Sequence, residues 1–316
     1  MGFVILAMLD FGQVTDSLRF TIAAFIEILP FLLLAVILAA VIKATGSDQL
    51  IAGVFSGHSA RSIVLASLAG TLSPFCSCGV VPLIATLLRS RVPLAPVMAF
   101  WIASPIMDPE MFVLTAAGIG PSFALAKTLA TFLMGVIAGW TIYLFRHSNS
   151  FQQPLLAEVS GCCSASSDDH GVVWVFWRKE DRRQLFVDEI RTTGWFLGKW
   201  LLLAFFLESL MVVYVPAGWV AGALGSGAWY EIPLAALAGI PAYLNGYAAV
   251  PLVSGLLDMG MNGGAALAFM TAGAVSSIPA AMAVYVLVKR PVFVTYLLLG
   301  FLGSTLTGAL YAMLLW

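Results

Sequence analysis

Hydrophobic positions in this chain gather into eight long runs, at roughly residues 20–42, 62–88, 92–118, 122–144, 195–215, 232–257, 263–288 and 292–315. Most reach the ~20 residues that a helix needs to cross a hydrocarbon core about 30 Å thick. Residues 151–191 interrupt the series with Gly161-Cys-Cys-Ser-Ala-Ser-Ser-Asp-Asp-His170 and the charged run Arg178-Lys-Glu-Asp-Arg-Arg183. The pattern divides the chain into an apolar part over 1–146, a hydrophilic loop over 147–191 and a second apolar part over 192–316. Residues 1–13 are apolar but short and lack a basic start, which fits an interfacial helix better than a cleaved signal peptide.

Two of the runs cannot be continuous helices. In the first, Ser73-Pro-Phe-Cys-Ser-Cys-Gly-Val-Val-Pro82 sits at the centre of residues 62–91. Proline removes a backbone donor and glycine weakens a helix, so the segment breaks there. In the second, Pro241-Ala-Tyr-Leu-Asn-Gly-Tyr-Ala-Ala-Val-Pro251 sits at the centre of residues 231–260. Irregular backbone at membrane depth survives only where protein buries it or where it lines a cavity, which makes both breaks candidate substrate sites.

The two apolar parts are related to each other. At an offset of 169 positions, residues 81–103 align without gaps to 250–272, and eight of the 23 positions are identical. Val81, Pro82, Leu83, Leu87, Leu88, Ala99, Phe100 and Ala103 recur as Val250, Pro251, Leu252, Leu256, Leu257, Ala268, Phe269 and Ala272. The same offset superposes all four apolar runs of each part. Internal repeats with sites on discontinuous segments near the midplane are a hallmark of secondary transporters.

Charge then orients the chain. If all eight runs crossed fully, with the loop after Arg146 inside, Lys43, Arg61, Lys289 and Arg290 would fall outside, against the positive-inside rule. If residues 62–91 and 231–260 are instead re-entrant hairpins, those four, Arg89, Arg91 and the loop all lie inside. The outer connections at 118–121, 216–230 and 258–262 then carry no Lys or Arg; only Arg19 and Lys127 remain on or near the outer side. This reading is all-α, with two inverted repeats of three spanning helices and one broken re-entrant hairpin each. Arms of about 13 residues rise roughly 20 Å, past the middle of the bilayer. The tips fall at Cys76–Ser77 and at Asn245–Gly246.

Composition closes off other classes. Of 316 residues, 61% are hydrophobic and 10% charged, whereas ordinary soluble domains are about 25% charged. Four cysteines, two in an apolar run and two adjacent in the loop, do not make a disulfide framework. The chain has no phosphate-binding Gly-x-x-x-x-Gly-Lys-Ser/Thr, no HExxH and no Ser/His/Asp set; its histidines fall in loops. An ATP-driven pump or an intramembrane enzyme therefore has no support. No cofactor and no nucleic-acid partner is expected. The expected partners are the lipid bilayer and a small-molecule or metalloid substrate, and a homo-oligomer is compatible with the pattern.

The candidate chemistry follows from these positions. Cys76 and Cys78, flanked by Ser77 and Gly79, place two soft sulfurs on one turn, suited to Cu(I), Zn(II) or a trivalent arsenical; packed cysteines are the competing reading. Tyr243, Asn245, Gly246 and Tyr247 at the other tip offer polar contacts or helix caps. Asp108, between Pro105 and Pro109, and the neighbouring Glu110 are acids in or near a span, with Glu27 and Glu208 as weaker counterparts. Ionisable groups at such depth are functional candidates, here for proton coupling, although freed backbone N–H groups could equally satisfy Asp108. Cys162 and Cys163 form a vicinal pair in the loop, a second candidate metal site or an incidental feature of a linker.

The segments Ser73-Pro-Phe-Cys-Ser-Cys-Gly-Val-Val-Pro82, Leu87-Leu-Arg-Ser-Arg-Val-Pro93 and Ser104-Pro-Ile-Met-Asp-Pro109 resemble the ArsP/YraQ-type permeases. The resemblance is most specific over residues 71–111 and extends more loosely along the chain. It implies a permease, with efflux of trivalent organoarsenicals in named members and a branch linked to copper and zinc. By this resemblance Cys76 and Cys78 match the motif cysteines, and Ser104, Pro105 and Pro109 the second motif. Residues and resemblance together lead to the expectation of a multi-pass inner-membrane transporter exporting a thiophilic species, with arsenical resistance as its outcome and protons as the counter-ion. A carrier for another small solute or anion, or a channel-like protein, are the alternatives.

The charge distribution makes one measurable prediction. Single cysteines introduced at Arg61, Arg89 and Lys289 should be labelled from the same side as one at Arg182. Labelling of positions 61 and 89 from opposite sides would restore eight full spans.

Overall fold

The computed structural model describes residues 11–45, 60–73, 80–89, 92–146, 151, 154–156, 176–214, 230–242, 246–276 and 278–315. Among them the chain is helical, apart from a short turn at Phe176–Arg178 and one isolated bridge. The first half forms α1 (Phe11–Thr45), α2 (Ala60–Thr71), α3 (Val80–Arg89), α4 (Leu94–Ala103), α5 (Pro109–Gly118) and α6 (Pro121–Leu144). The second forms α7 (Glu180–Tyr214), α8 (Glu231–Ala242), α9 (Gly246–Asp258), α10 (Gly263–Ser276), α11 (Ile278–Leu287) and α12 (Arg290–Leu315). Six helices follow in the same order in each half. Shifting the first half by 169 positions lays the limits of α1 on those of α7 and of α5 on those of α11.

Two differences from the hydrophobic pattern have physical causes. The apolar run at 92–118 is two helices of ten residues each, because Pro105 and Pro109 withdraw donors at 104–108. Its counterpart is described as α10 to Ser276 and α11 from Ile278, with Pro279 in the first turn of α11. The second difference is that α7 starts at Glu180, well before the apolar run at 195. The charged residues there suit a helix start: Glu180 and Asp181 lie in the first turn, where the dipole favours anions, and Arg183 pairs with Glu180 at 2.7 Å.

Helices α4 and α10 form the centre, and every residue of both is buried. Both are apolar all round, as a helix enclosed on all sides must be. In the first half α2 and α6 clamp α4 through small residues. A Cβ on Gly70 would lie 2.7 Å from the Phe100 carbonyl and 3.0 Å from Ala103, and one on Gly139 2.5 Å from Ile63 and 2.9 Å from Ala99. Lipid tails supply no hydrophobic drive between helices, so this close backbone approach maximises dispersion contact. In the second half Gly239 and Gly308 bring α8 and α12 onto Phe269 and Ala268 of α10 in the same way.

These contacts also fix direction. Gly139 near the end of α6 meets residues near the starts of α2 and α4, whereas Gly135, a turn earlier, meets Ser67 and Ala103 further along them. Helices α2 and α4 therefore both begin at the end where α6 finishes. Between the halves, Phe123 near the start of α6 meets Tyr311 near the end of α12, with ring centroids 5.7 Å apart, and Met134 meets Gly303 and Ser304. Helices α6 and α12 thus cross antiparallel. So do α1 and α7, where Arg182 donates to the Ala44 carbonyl at 3.2 Å and Gly198 touches Phe25. After α6 the chain returns to pin the start of α12: Lys289 N donates to the Pro154 carbonyl at 2.8 Å and Leu156 N to that of Leu287 at 3.2 Å.

Gly135→Leu should destabilise the bundle by roughly 3 kcal/mol or more, the upper end of overpacking costs, because its Cβ would already lie 2.8 Å from the Ala99 carbonyl. Gly255→Ala, where a Cβ meets nothing within 4 Å, should be neutral or mildly stabilising. Unfolding midpoints in detergent compare the two.

Candidate functional site

Two places stand out in the first half: the break between α2 and α3 and the break between α4 and α5. Thr71 closes the last turn of α2 by donating to the Ser67 carbonyl at 2.9 Å, and Ser73 N donates to that of Gly70 at 3.0 Å. Helix α3 starts again at Val80. The gap between them holds Cys76, Ser77, Cys78 and Gly79, which lie outside the described residues, as do Tyr243, Asn245, Cys162 and Cys163. Gly246 and Tyr247 open α9, and Glu27 and Glu208 lie along α1 and α7.

The break at 104–108 is resolved in detail. Ser104 N still bonds the Phe100 carbonyl at 2.9 Å and Ile106 N that of Ala103 at 3.3 Å, so the chain turns out of α4 gradually. It extends at Asp108, whose φ of −141° and ψ of 171° mark a residue ahead of a helix. Asp108 is the N-cap of α5: its Oδ1 accepts from Met111 N at 2.7 Å, with Pro109 following at the position that tolerates proline best. Glu110 stands exposed in the first turn, where its charge complements the helix dipole.

A group that the sequence treated only as a positive charge near the outer side completes this site. Lys127, on α6, is 0% exposed, and its Nζ has no hydrogen-bond partner among the described residues. The Asp108 carboxylate is within electrostatic reach. The Oγ of Ser104, also buried, is without a partner among the described residues. The sequence held one signal of this, a lone lysine five residues into an apolar run. At that depth a lysine can snorkel, and the pattern could not say that the bundle would bury it. Carboxylate, ammonium and hydroxyl together give the break both signs of charge inside an apolar bundle.

At the opposite end of the bundle, Arg89 of α3 lies 3.7 Å from Glu189 of α7, which is 7% exposed and also accepts from Thr193 Oγ1 at 2.9 Å. This pair ties the helix after the first break to the second half. At the other end Glu231, buried at the start of α8, accepts from Asn262 N at 3.4 Å.

An interrupted helical bundle with ionisable groups at its break is compatible with a membrane transporter. The comparison with known families agrees. Residues 13–313 match the model of ArsP_1, described as predicted permease, and the chain belongs to that family. It is similar to the UPF0718 protein YcgR of Bacillus subtilis (strain 168), at 34% identity over 99 residues, 31% of this chain and 34% of that one. It is also similar to a Streptococcus mutans serotype c (strain ATCC 700610 / UA159) protein whose name describes it as a two-component membrane permease complex subunit. That match is 22% identical over 213 residues and covers 65% of each chain. The chain thus spans about a third and just under two thirds of the lengths of these relatives. No solved structure matches it.

The capping geometry separates structure from chemistry at Asp108. Asp108→Asn retains an acceptor for Met111 N and should unfold within about 0.5 kcal/mol of wild type, whereas Asp108→Ala should lose about 1 kcal/mol. Equal loss in both variants would mean that the charge, not the cap, holds the break.

Proposed function

We propose that this permease is a multi-pass secondary transporter of the inner membrane. It exports a thiophilic metalloid or metal species, of the trivalent organoarsenical kind, in exchange for protons. The observation that carries the reading is the interruption between Thr71 and Val80, because that is the interruption that contains Cys76 and Cys78. Two thiols one residue apart can grip a soft centre that water and carboxylates hold poorly. In the proposal the substrate sits there and contacts Tyr243, Asn245, Gly246 and Tyr247 across the midplane. Protons enter through Asp108 with Glu110, and Glu27 and Glu208 are the alternatives. Cys162 and Cys163 would collect substrate on the cytosolic side.

The architecture supports alternating access. Because α2 and α4 start at the same end, α3 has to return to that end, which supports a re-entrant hairpin with its tip inside the bilayer. Met134 and Gly303 are 169 positions apart and touch where α6 and α12 cross antiparallel. A contact between equivalent residues on antiparallel helices requires a two-fold axis perpendicular to them, which supports inverted repeats. Arg61, Arg89, Arg146, Arg182 and Lys289 gather at the end where α6 finishes, which supports assigning that end to the cytoplasm. A second reading, a carrier for a small anion with packed cysteines, draws on one observation, the buried ammonium of Lys127.

Everted vesicles loaded by this protein test the proposal. Cys76→Ser and Cys78→Ser nearly preserve volume, and each should leave a folded protein whose uptake of a trivalent arsenical or Cu(I) falls at least tenfold. Wild-type uptake by both would remove the thiols from the site and favour the second reading. In the same vesicles Asp108→Asn should abolish the response to a pH gradient, and an unchanged response would transfer the coupling role to Glu27 or Glu208.

A further inference from the structure

Proton entry through Asp108 leaves one buried ionisable group unused. Lys127 is fully enclosed on α6, and its Nζ makes no hydrogen bond among the described residues. The position does not require a charge. At the equivalent position, 169 residues on, Tyr296 is buried and neutral, and its hydroxyl donates to the Val275 carbonyl. An ammonium without hydrogen-bond partners is among the costliest groups that a fold can bury.

Few charges face it. The helices that mainly pack on α6 are α2, α4, α5, α10 and α12. Helices α4 and α10 carry no titratable side chain. Helix α2 carries Arg61 and helix α12 carries Arg290, each in its first turn, at the end of α6 away from Lys127. Helix α12 also carries Tyr296 and Tyr311, whose ring packs on Phe123 one turn before Lys127. Helix α5 brings the exposed Glu110 and, as its cap, Asp108. Of these groups it is the Asp108 carboxylate that acts on the Lys127 ammonium. Asp108 is half-buried, whereas Lys127 is fully buried. Because Asp108 Oδ1 accepts from Met111 N, the carboxylate moves with the start of α5. Two opposed effects therefore set the charge on Lys127. Burial penalises the ammonium, and the carboxylate favours it through an attraction that a low dielectric strengthens. That attraction depends on separation, so a movement of α5 relative to α6 changes the balance.

We propose that Lys127 stores the proton of the coupling cycle, and that Asp108 is its port and the counter-charge that decides whether the proton stays. When α5 holds the carboxylate close, the Nζ amine takes up a proton and becomes an ammonium. When the break at 104–108 carries the carboxylate away, the ammonium gives that proton back to water and is left as a neutral amine. One proton enters and one leaves, and no other reactant is consumed. This inference rests on the proton-coupled reading but not on the identity of the cargo.

Two measurements test it, and the first needs no cargo. The unfolding midpoint of the full chain in detergent is followed from about pH 6 to about pH 9 for wild type and Lys127→Met. A lysine in an unfolded chain stays charged over that range, so one that also stays charged in the fold gives a constant difference between the two proteins. The difference should instead change with pH; a constant one overturns the proposal. Should Lys127→Met not fold, Asp108→Asn takes its place, and a constant difference from wild type is again fatal. The second measurement uses everted vesicles with a trivalent methylarsenical as probe. Lys127→Met is fixed neutral and Lys127→Arg is fixed charged. Each should lose at least tenfold of the uptake driven by a pH gradient, while exchange of labelled for unlabelled probe without a gradient falls no more than several-fold. Gradient-driven uptake at the wild-type rate in either variant overturns the proposal, as does an equal loss of exchange, which would make Lys127 a purely structural residue. If wild type moves no arsenical, the cargo reading fails and the pH profile alone decides the role of Lys127.

Discussion

Hydrocarbon offers a peptide group nothing to bond to, and the architecture depends on that constraint. A helix satisfies its own backbone; an interrupted helix does not, and each interruption has to be enclosed by protein. This is why α4, which leads into the interruption at 104–108, is buried along its whole length. It is also why the helices around it carry glycine and alanine at the contact: only small residues allow neighbours close enough to wall off irregular backbone. Asp108 meets the same demand locally, since its side chain takes up a donor that the missing preceding turn leaves free.

The breaks were legible because proline and glycine act locally, and Pro74, Pro105 and Pro109 announce themselves in any context. The internal repeat was legible because one offset aligned both residues and runs, and the helix limits recur at that same offset. What the sequence hid depends on the third dimension. Lys127 carried a charge near a supposed surface, and in the folded bundle it is fully buried. The start of α7 was masked by its polarity, because periodic hydrophobicity reports burial and not helicity.

The two halves share a plan but not a chemistry. Where the first has Lys127 and Asp108, the second has Tyr296 and Ser277, and where the first has two cysteines in its gap, the second has Asn245 among tyrosines. A symmetric scaffold with asymmetric side chains allows one half to hold ligands while the other supplies shape. The pair between Arg89 and Glu189 and the contact of Ser254 with the Gly118 carbonyl join the halves at opposite ends of the bundle, so a movement that opens one need not disturb the other.

The crossing of α6 and α12 shows what a single chain permits at its own seam. Met134 lies on Gly303, and the two positions are equivalents. In a pair of separate, identical chains the residue at that point would meet its own copy, two thioethers colliding or two glycines leaving a hole. Within one polypeptide that requirement is absent, and a long flexible side chain can fold into the notch left by a missing one. The seam between the halves is thus filled by unlike residues, a fit that two identical chains crossing at the same point could not make.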